Sequence, residues 1–312
     1  MRVGSTRRTW LAVGRMFLTV ATLGLVARWV DAAEVGARLS ELRLEWAALA
    51  LSISVAQVAV LAWRWRFTAA RLGLDLPLRT ALAEYYLGIF VNQVLPGGVL
   101  GDVSRAWRHA HATTLTGPAI RAVILERLSA QVVMSLVAAV SIVALPWATA
   151  STRSWVLGLV LLIAGVTLLA GQRTRSSGKD ASGFWPDVHR AYFAREAALP
   201  QLLSALFVVG SYLAVFVVAA RAVNVQTSIA GMLPLMAPVL MTMLIPVTIA
   251  GWGVREAAAA ALWGYVGLSR SEGATVSVAY GLLVLAGSAP GLLVLMRVLA
   301  SGRDRRADPP RE

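Results

Sequence analysis

The sequence predicts an all-α polytopic membrane protein, an inverted repeat of three spans plus one re-entrant helical hairpin in each half. Three observations carry that expectation. Of the 312 residues, 58% are hydrophobic and only 14% are charged, where a soluble domain carries about 25% charge. Apolar runs of about 20 residues, enough to cross ~30 Å of hydrocarbon, recur along the whole chain. Two further apolar regions are broken by proline and glycine at corresponding places in the two halves: at Pro96, Gly97, Gly98 and Gly101, and at Pro246, Gly251 and Gly253.

Taken in order, the N-terminus puts Arg2, Arg7 and Arg8 before an apolar run, the layout of a signal peptide. Arg15 interrupts that run and no small-x-small cleavage site follows, which favours a retained first span at 10–28 with Arg15 snorkelling. The second span is 46–64. It ends in Trp63-Arg64-Trp65-Arg66, which reads as an anchor in the headgroup layer. The region 80–107 is the first hairpin, and 119–145 is the next full span. The second half then offers a span at 154–171, a polar loop at 172–200, a span at 201–221, a hairpin at 229–268 and a last span at 274–297. A basic tail, 302–312, follows. All of 1–312 forms one transmembrane domain, with a first repeat at 10–145 and a second, inverted one at 154–299.

Arginine placement separates hairpins from simple crossings. With two hairpins, 20 of the 29 Lys and Arg fall on the side of the N-terminus and 6 on the other, and 3 lie within membrane segments. With single crossings the division is nearly even. The positive-inside tendency therefore favours hairpins and puts both termini in the cytoplasm.

Several classes are excluded. The chain has no cysteine, so disulfides, thiolate nucleophiles and thiolate metal sites are ruled out. His109, His111 and His189 read as loop residues without carboxylates near them, so no metal and no other cofactor is expected. The net charge of +13 flanks the apolar spans, which suits lipid headgroups rather than nucleic acid. Neither GGVLG nor GWG follows a strand in a βαβ unit, so neither is a nucleotide fingerprint.

The breaks carry the chemistry. Pro96 ends one helical arm, and Asp102 stands where it can cap the next. Arg105 follows on nearly the same face. Free helix N–H groups beside a guanidinium make an anion site, and a lipid phosphate is the obvious anion. Asn92 is placed to bond the opened backbone or a headgroup. The second break repeats the pattern: Pro246 ends an arm, and Arg255-Glu256 opens an alanine-rich helix after Gly251 and Gly253. Adjacent residues point about 100° apart, so Glu256 is expected to meet Arg127 or Arg105 across the repeat interface. Glu126-Arg127 begins the membrane part of 119–145. A structural reading stands beside each: Asp102 with Arg105 also fits a cap pair, and Glu126-Arg127 and Glu84 also fit the membrane edge. Charge inside a membrane nevertheless points first to function.

In order along the chain, Arg64-Trp65-Arg66, Gly88-x-x-x-Asn92-x-x-x-Pro96, Gly101-Asp102-x-x-Arg105, Glu126-Arg127 and Pro246-x-Thr248-x-x-Gly251-x-Gly253-x-Arg255-Glu256 resemble the transmembrane, flippase-like region of lysylphosphatidylglycerol synthases. The resemblance covers about residues 10–300. Where that family usually has Gly-Gly-Asp, this chain has Leu100-Gly101-Asp102. No aminoacyl-transferase domain follows the membrane region, so the resemblance implies translocation of a lipid rather than its synthesis.

The expectation is a lipid flippase in a bacterial or archaeal inner membrane, moving a polar or anionic lipid between leaflets. Asn92, Asp102, Arg105, Glu126, Arg127, Arg255 and Glu256 would form its binding site, with the arginines holding the headgroup anion. A membrane-embedded lipid-modifying transferase, using Asp102 or Glu256 as a base, is the enzyme alternative. An accessory subunit of a lipid or envelope biosynthesis complex is a third. Partners would be membrane lipids, a second copy of the chain, or a separate lipid-synthesising enzyme.

Overall fold

A computed structural model describes residues 3–95, 99–145, 149–161 apart from 155 and 159, 183–244 and 247–307, with side chains within 13–300. The described residues are helical or lie in turns and connections, without a strand. Helix α1 spans Val3–Trp29 and turns by 99° into α2, Ala32–Ser40. The sequence reading did not foresee α2. Asp31 starts it: its carboxylate accepts from the N–H groups of Ala33 and Glu34 at 3.0 and 3.1 Å, the capping bond that a first helical turn lacks.

Helices α3 (Leu44–Arg71) and α6 (Thr116–Ala144) bracket α4 (Leu78–Val94) and α5 (Leu100–His111). Beyond the next described stretch, a short α7 (Phe184–Val188) runs through one π turn, His189–Phe193, to α8 (Arg195–Ala222). Asp187 pins α7 to α6 by accepting from Arg121 at 2.5 Å. Then come α9 (Ile229–Met241), α10 (Val254–Tyr265), α11 (Arg270–Gly287) and α12 (Pro290–Ala307). Ser228 caps α9 and Ser269 caps α11.

Helices α3, α6 and α8 are each long and apolar enough to cross a membrane. Their expected ranges, and that of α1, match the sequence reading. The expected span at 154–171 lies largely outside the described residues, as do residues 172–182 of the polar loop expected at 172–200 and the end of the tail. The remainder of that loop is not a loop but α7, the π turn and the first turns of α8. The span expected at 274–297 needs correction. It is two helices, α11 and α12, bent by 42° at Ser288-Ala289. Pro290 is the cause, since it has no N–H to donate and disfavours helical backbone at the residue before it.

Both regions read as hairpins are helix, break, helix. Pro96, Gly97, Gly98 and Pro246 lie outside the described residues. In the first, α4 and α5 pack at backbone distance: a Cβ on Gly101 would fall 1.9 Å from the carbonyl oxygen of Gly88. In the second, Gly251 and Gly253 take φ +78° and +86°, a left-handed backbone that glycine adopts without strain. Helix α1 braces this turn. Thr19 Oγ1 accepts from the N–H of Ile249 at 3.0 Å, and Thr22 packs directly on Gly253.

The centre is α3 against α8, flanked by α6 against α9 and by α4 against α12. Between helices in lipid, close side-chain packing and interhelical hydrogen bonds supply the cohesion. Phe216, Trp263 and Tyr280 form one aromatic centre, with ring centroids 5.4 to 6.2 Å apart. Trp65, Tyr85 and Leu61 belong to a second centre around α3 and α4.

Candidate functional site

A cavity of about 240 Å³ opens between the two broken elements. Asn92, Asp102, Arg105, Glu126 and Arg127 form its polar wall. Leu240, Met241, Met243, Leu244 and Ala250, from the second broken element, face them, and Tyr212 and Tyr280 are also among the lining residues. Five of the seven expected site residues are thus brought together.

Helix packing explains how. On α4, Tyr85, Gly88 and Asn92 share one face. Gly88 admits α5, and Asn92 then reaches past the break. Its Oδ1 accepts from the N–H of Gly101 at 2.7 Å, and its Nδ2 donates to Asp102 at 2.9 Å. The sequence reading gave the capping role to Asp102, which the geometry corrects. Asp102 is the third residue of α5, and its carboxylate is taken by side chains. Asn92, from the opposite arm, satisfies the helix terminus. The first alternative for Asn92, the opened backbone, is the one realised.

The charges alternate along a chain. Glu126 Oε2 accepts from Tyr85 Oη at 2.5 Å and from Arg105 at 3.2 Å. Arg105 also donates to Asp102 Oδ1 at 3.2 Å, and Asp102 Oδ2 accepts from Arg127. Arg105 is only 1% exposed. Its guanidinium lies over Tyr85 at 4.0 Å and Trp65 at 4.6 Å from the ring centroids, the geometry of cation–π attraction. Arg127 is different, with 44% of its side chain exposed. Although paired with Asp102, it is the more accessible of the two cavity guanidiniums.

Arg255 and Glu256 do not line the cavity. They form a second cluster, in which Glu256 Oε1 accepts from Arg255 at 2.6 Å and from Ser277 at 3.0 Å. The cross-repeat pairing of Glu256 with Arg127 or Arg105 does not form. Glu256 instead folds back at the start of α10, and its Oε2 accepts from the N–H of Gly253 at 2.6 Å. That is one half of a capping box, since Gly253 has no side chain to return the bond. Arg255 curls over Trp252 and Tyr280, with centroids 5.1 and 5.3 Å away. Tyr280 therefore stands between the sealed pair and the cavity.

Other expectations also shift. Arg64 and Trp65 are 0% and 1% exposed, so of the Trp63–Arg66 run only Trp63 and Arg66 reach the outer surface. Glu84 accepts from Arg108 at 2.8 Å. His109 and His111 belong to α5, and His109 is buried edge-on against Trp65. Sequence reasoning put Trp65 in the headgroup layer and missed Tyr85, Tyr212, Ser277 and Tyr280. Only Tyr85 carried a signal, its helical spacing with Gly88 and Asn92.

The model of the family described as the lysylphosphatidylglycerol synthase TM region matches residues 11–291, and the chain belongs to that family. No curated protein matches it.

Proposed function

We propose that this member of the lysylphosphatidylglycerol synthase transmembrane family is a lipid flippase, moving a polar or anionic headgroup between leaflets while the acyl chains stay in lipid. The observation that carries the reading is the cavity itself. A charged wall inside an apolar helical bundle is expensive to build, and both broken elements contribute to the space it faces. Arg127 binds the headgroup anion, Arg105 fixes the carboxylates around it, and Tyr212 and Tyr280 offer hydroxyls. Arg255 and Glu256 hold the second break in shape.

The contacts between helices support an inverted repeat of re-entrant hairpins. Exchange the halves, so that α3 answers to α8, α4 to α9, α5 to α10 and α6 to α11 with α12. The α3–α8 contact then maps onto itself, α6–α9 maps onto α12–α4, and α5–α6 maps onto α10–α11. Such repeats place a site at the membrane midplane and expose it to each side in turn. Both termini lie in the cytoplasm of a bacterial or archaeal cell. The natural absence of cysteine makes single-cysteine labelling a clean check of this orientation.

The test is translocation of acyl-labelled lipids by protein reconstituted in vesicles. Arg127→Gln and Arg105→Gln are expected to slow transfer about tenfold or more, the worth of one charge-assisted hydrogen bond. Arg127→Gln should leave thermal stability intact. Wild-type rates in both variants sink the assignment, and chemically altered lipid in place of moved lipid points to a transferase.

A further inference from the structure

We propose that the cavity takes a monoanionic phosphodiester headgroup without an ammonium group, and that buried Arg64 is the cation this headgroup balances. The inference rests on the lipid-transport reading and names the substrate class for that same cavity.

The first argument is charge. Glu126, Arg105, Asp102 and Arg127 already neutralise one another, and Arg255 with Glu256 does the same. Arg64 has no such partner. It is 0% exposed, and its bond is from Nη2 to the neutral Ser129 Oγ, at 2.5 Å. Its Nε and Nη1 have no acceptor. Among the described residues no carboxylate pairs with it. Gln201, farther along the same face, donates to Thr68 and leaves only a neutral oxygen. Among the buried guanidiniums Arg64, Arg105 and Arg255, Arg64 is therefore the one with no carboxylate paired to it among the described residues. An uncompensated buried cation is among the costliest states a fold can hold, and one negative charge in the cavity relieves it.

The second argument is position. Leu61, one turn before Arg64 on α3, and Ala130, next to Ser129 on α6, both line the cavity. Residues three apart share a helix face, so Arg64 lies directly behind the cavity wall. At that depth its field acts across a medium with little screening.

The third argument is hydrogen bonding. The unpartnered buried atoms of Arg64, Trp65 and Arg105 are all N–H donors. Both cavity carboxylates, by contrast, already accept from guanidiniums. An ammonium would have to displace an arginine to bind, whereas phosphodiester oxygens face the unpartnered N–H of Arg105 on the wall, with those of Arg64 and Trp65 behind it. A zwitterionic headgroup would also leave the charge of Arg64 uncompensated.

The test compares two lipids with the same acyl-chain fluorophore, phosphatidylglycerol and phosphatidylethanolamine, on the full chain in vesicles. Phosphatidylglycerol is expected to move about tenfold faster or more, because it alone balances the buried charge. Arg64→Gln should abolish that preference, and Arg64→Lys should keep most of it. Thermal unfolding gives a second readout on the same proteins. Phosphatidylglycerol should raise the midpoint of the wild type and not that of Arg64→Gln, whose own lipid-free midpoint should equal or exceed the wild-type value. Equal handling of the two lipids, or an Arg64→Gln variant that slows both alike, overturns the inference and leaves transport standing. If neither lipid moves, the transport reading fails. Selective, Arg64-dependent stabilisation by phosphatidylglycerol would then still uphold the headgroup assignment, and its absence would end it.

Discussion

The contact between Gly88 and Gly101 makes a sharp demand, because its two sides are unequal. A Cβ on Gly101 would stand 1.9 Å from the carbonyl oxygen of Gly88, and 2.6 and 2.7 Å from its C and Cα. All three are backbone atoms, which cannot rotate away. Reaching even a 3.0 Å approach means parting the two arms by about 1.1 Å, from 1.9 to 3.0 Å. The bond from the N–H of Gly101 to Asn92 would then stretch from 2.7 Å to about 3.8 Å, beyond hydrogen-bond range. Overpacking costs ~1–3 kcal/mol and the lost bond about 1 kcal/mol more. Gly101→Ala is therefore expected to destabilise by about 2–4 kcal/mol, and to impair transport because Asp102 moves with α5. Gly88→Ala makes the opposite case. Its Cβ would lie 3.5 Å from the nearest atom of Gly101, an ordinary contact, and alanine gains up to ~1 kcal/mol of helix propensity over glycine. Thermal unfolding in detergent, followed by tryptophan fluorescence, measures both. Equal effects, or a Gly101→Ala protein as stable as wild type, would refute the packing argument.

Two further outcomes follow from the second break. Arg255→Gln leaves a buried carboxylate without its cation and should cost ~3–5 kcal/mol. The double variant Arg255→Gln with Glu256→Gln should cost clearly less than the sum of the singles, with coupling of about 1–3 kcal/mol. Additive unfolding free energies would show that the pair does not act as a unit. Gly253→Ala meets Thr22 Oγ1 at 2.0 Å and keeps φ at +86°. In a Thr22→Gly background its cost should fall to the backbone strain, about 1–2 kcal/mol, plus the milder 3.2 Å contact with the backbone nitrogen of Leu23, and an undiminished loss of melting temperature there would place the clash elsewhere.

Much of this architecture was legible because the membrane constrains it so tightly. Backbone groups in hydrocarbon must be satisfied within a helix, so apolar length predicts α1, α3, α6 and α8, and Pro and Gly mark both breaks. The same logic found Asp102, Arg105, Glu126 and Arg127, since charge in such a setting has few innocent explanations. What stayed hidden depended on rotation and on distance along the chain. Whether Arg64 or Arg66 faces inward is a matter of one helical step, and the alternation of Trp and Arg fits either phase. The cap supplied by Asn92 crosses from one arm to the other, where local rules look only along the chain. The pairing of Arg255 with Glu256 defeated a rule for mid-helix neighbours, because both sit in the first turn of α10, where Glu256 bends back to Gly253. Helix α2 is too short and too polar to register as a span.

The two charge clusters use the same chemistry under different conditions of access. Each sets a guanidinium against a carboxylate and covers it with aromatic rings: Trp65 and Tyr85 for Arg105, Trp252 and Tyr280 for Arg255. One opens on the cavity and the other is sealed behind Tyr280. A mechanism in which the halves exchange roles needs such a difference, because two equally open sites would leave a water path across the membrane. On the transport reading, the sealed pair is also the more self-sufficient. Glu256 is fully satisfied by Arg255, Ser277 and the N–H of Gly253, so nothing in that cluster asks for a ligand. The open cluster shares its charges with the exposed Arg127 and has the unbalanced Arg64 behind it. Loading a headgroup then changes the electrostatic energy of the open state and leaves the sealed cluster almost untouched. A ligand can shift a conformational equilibrium only through such a differential interaction.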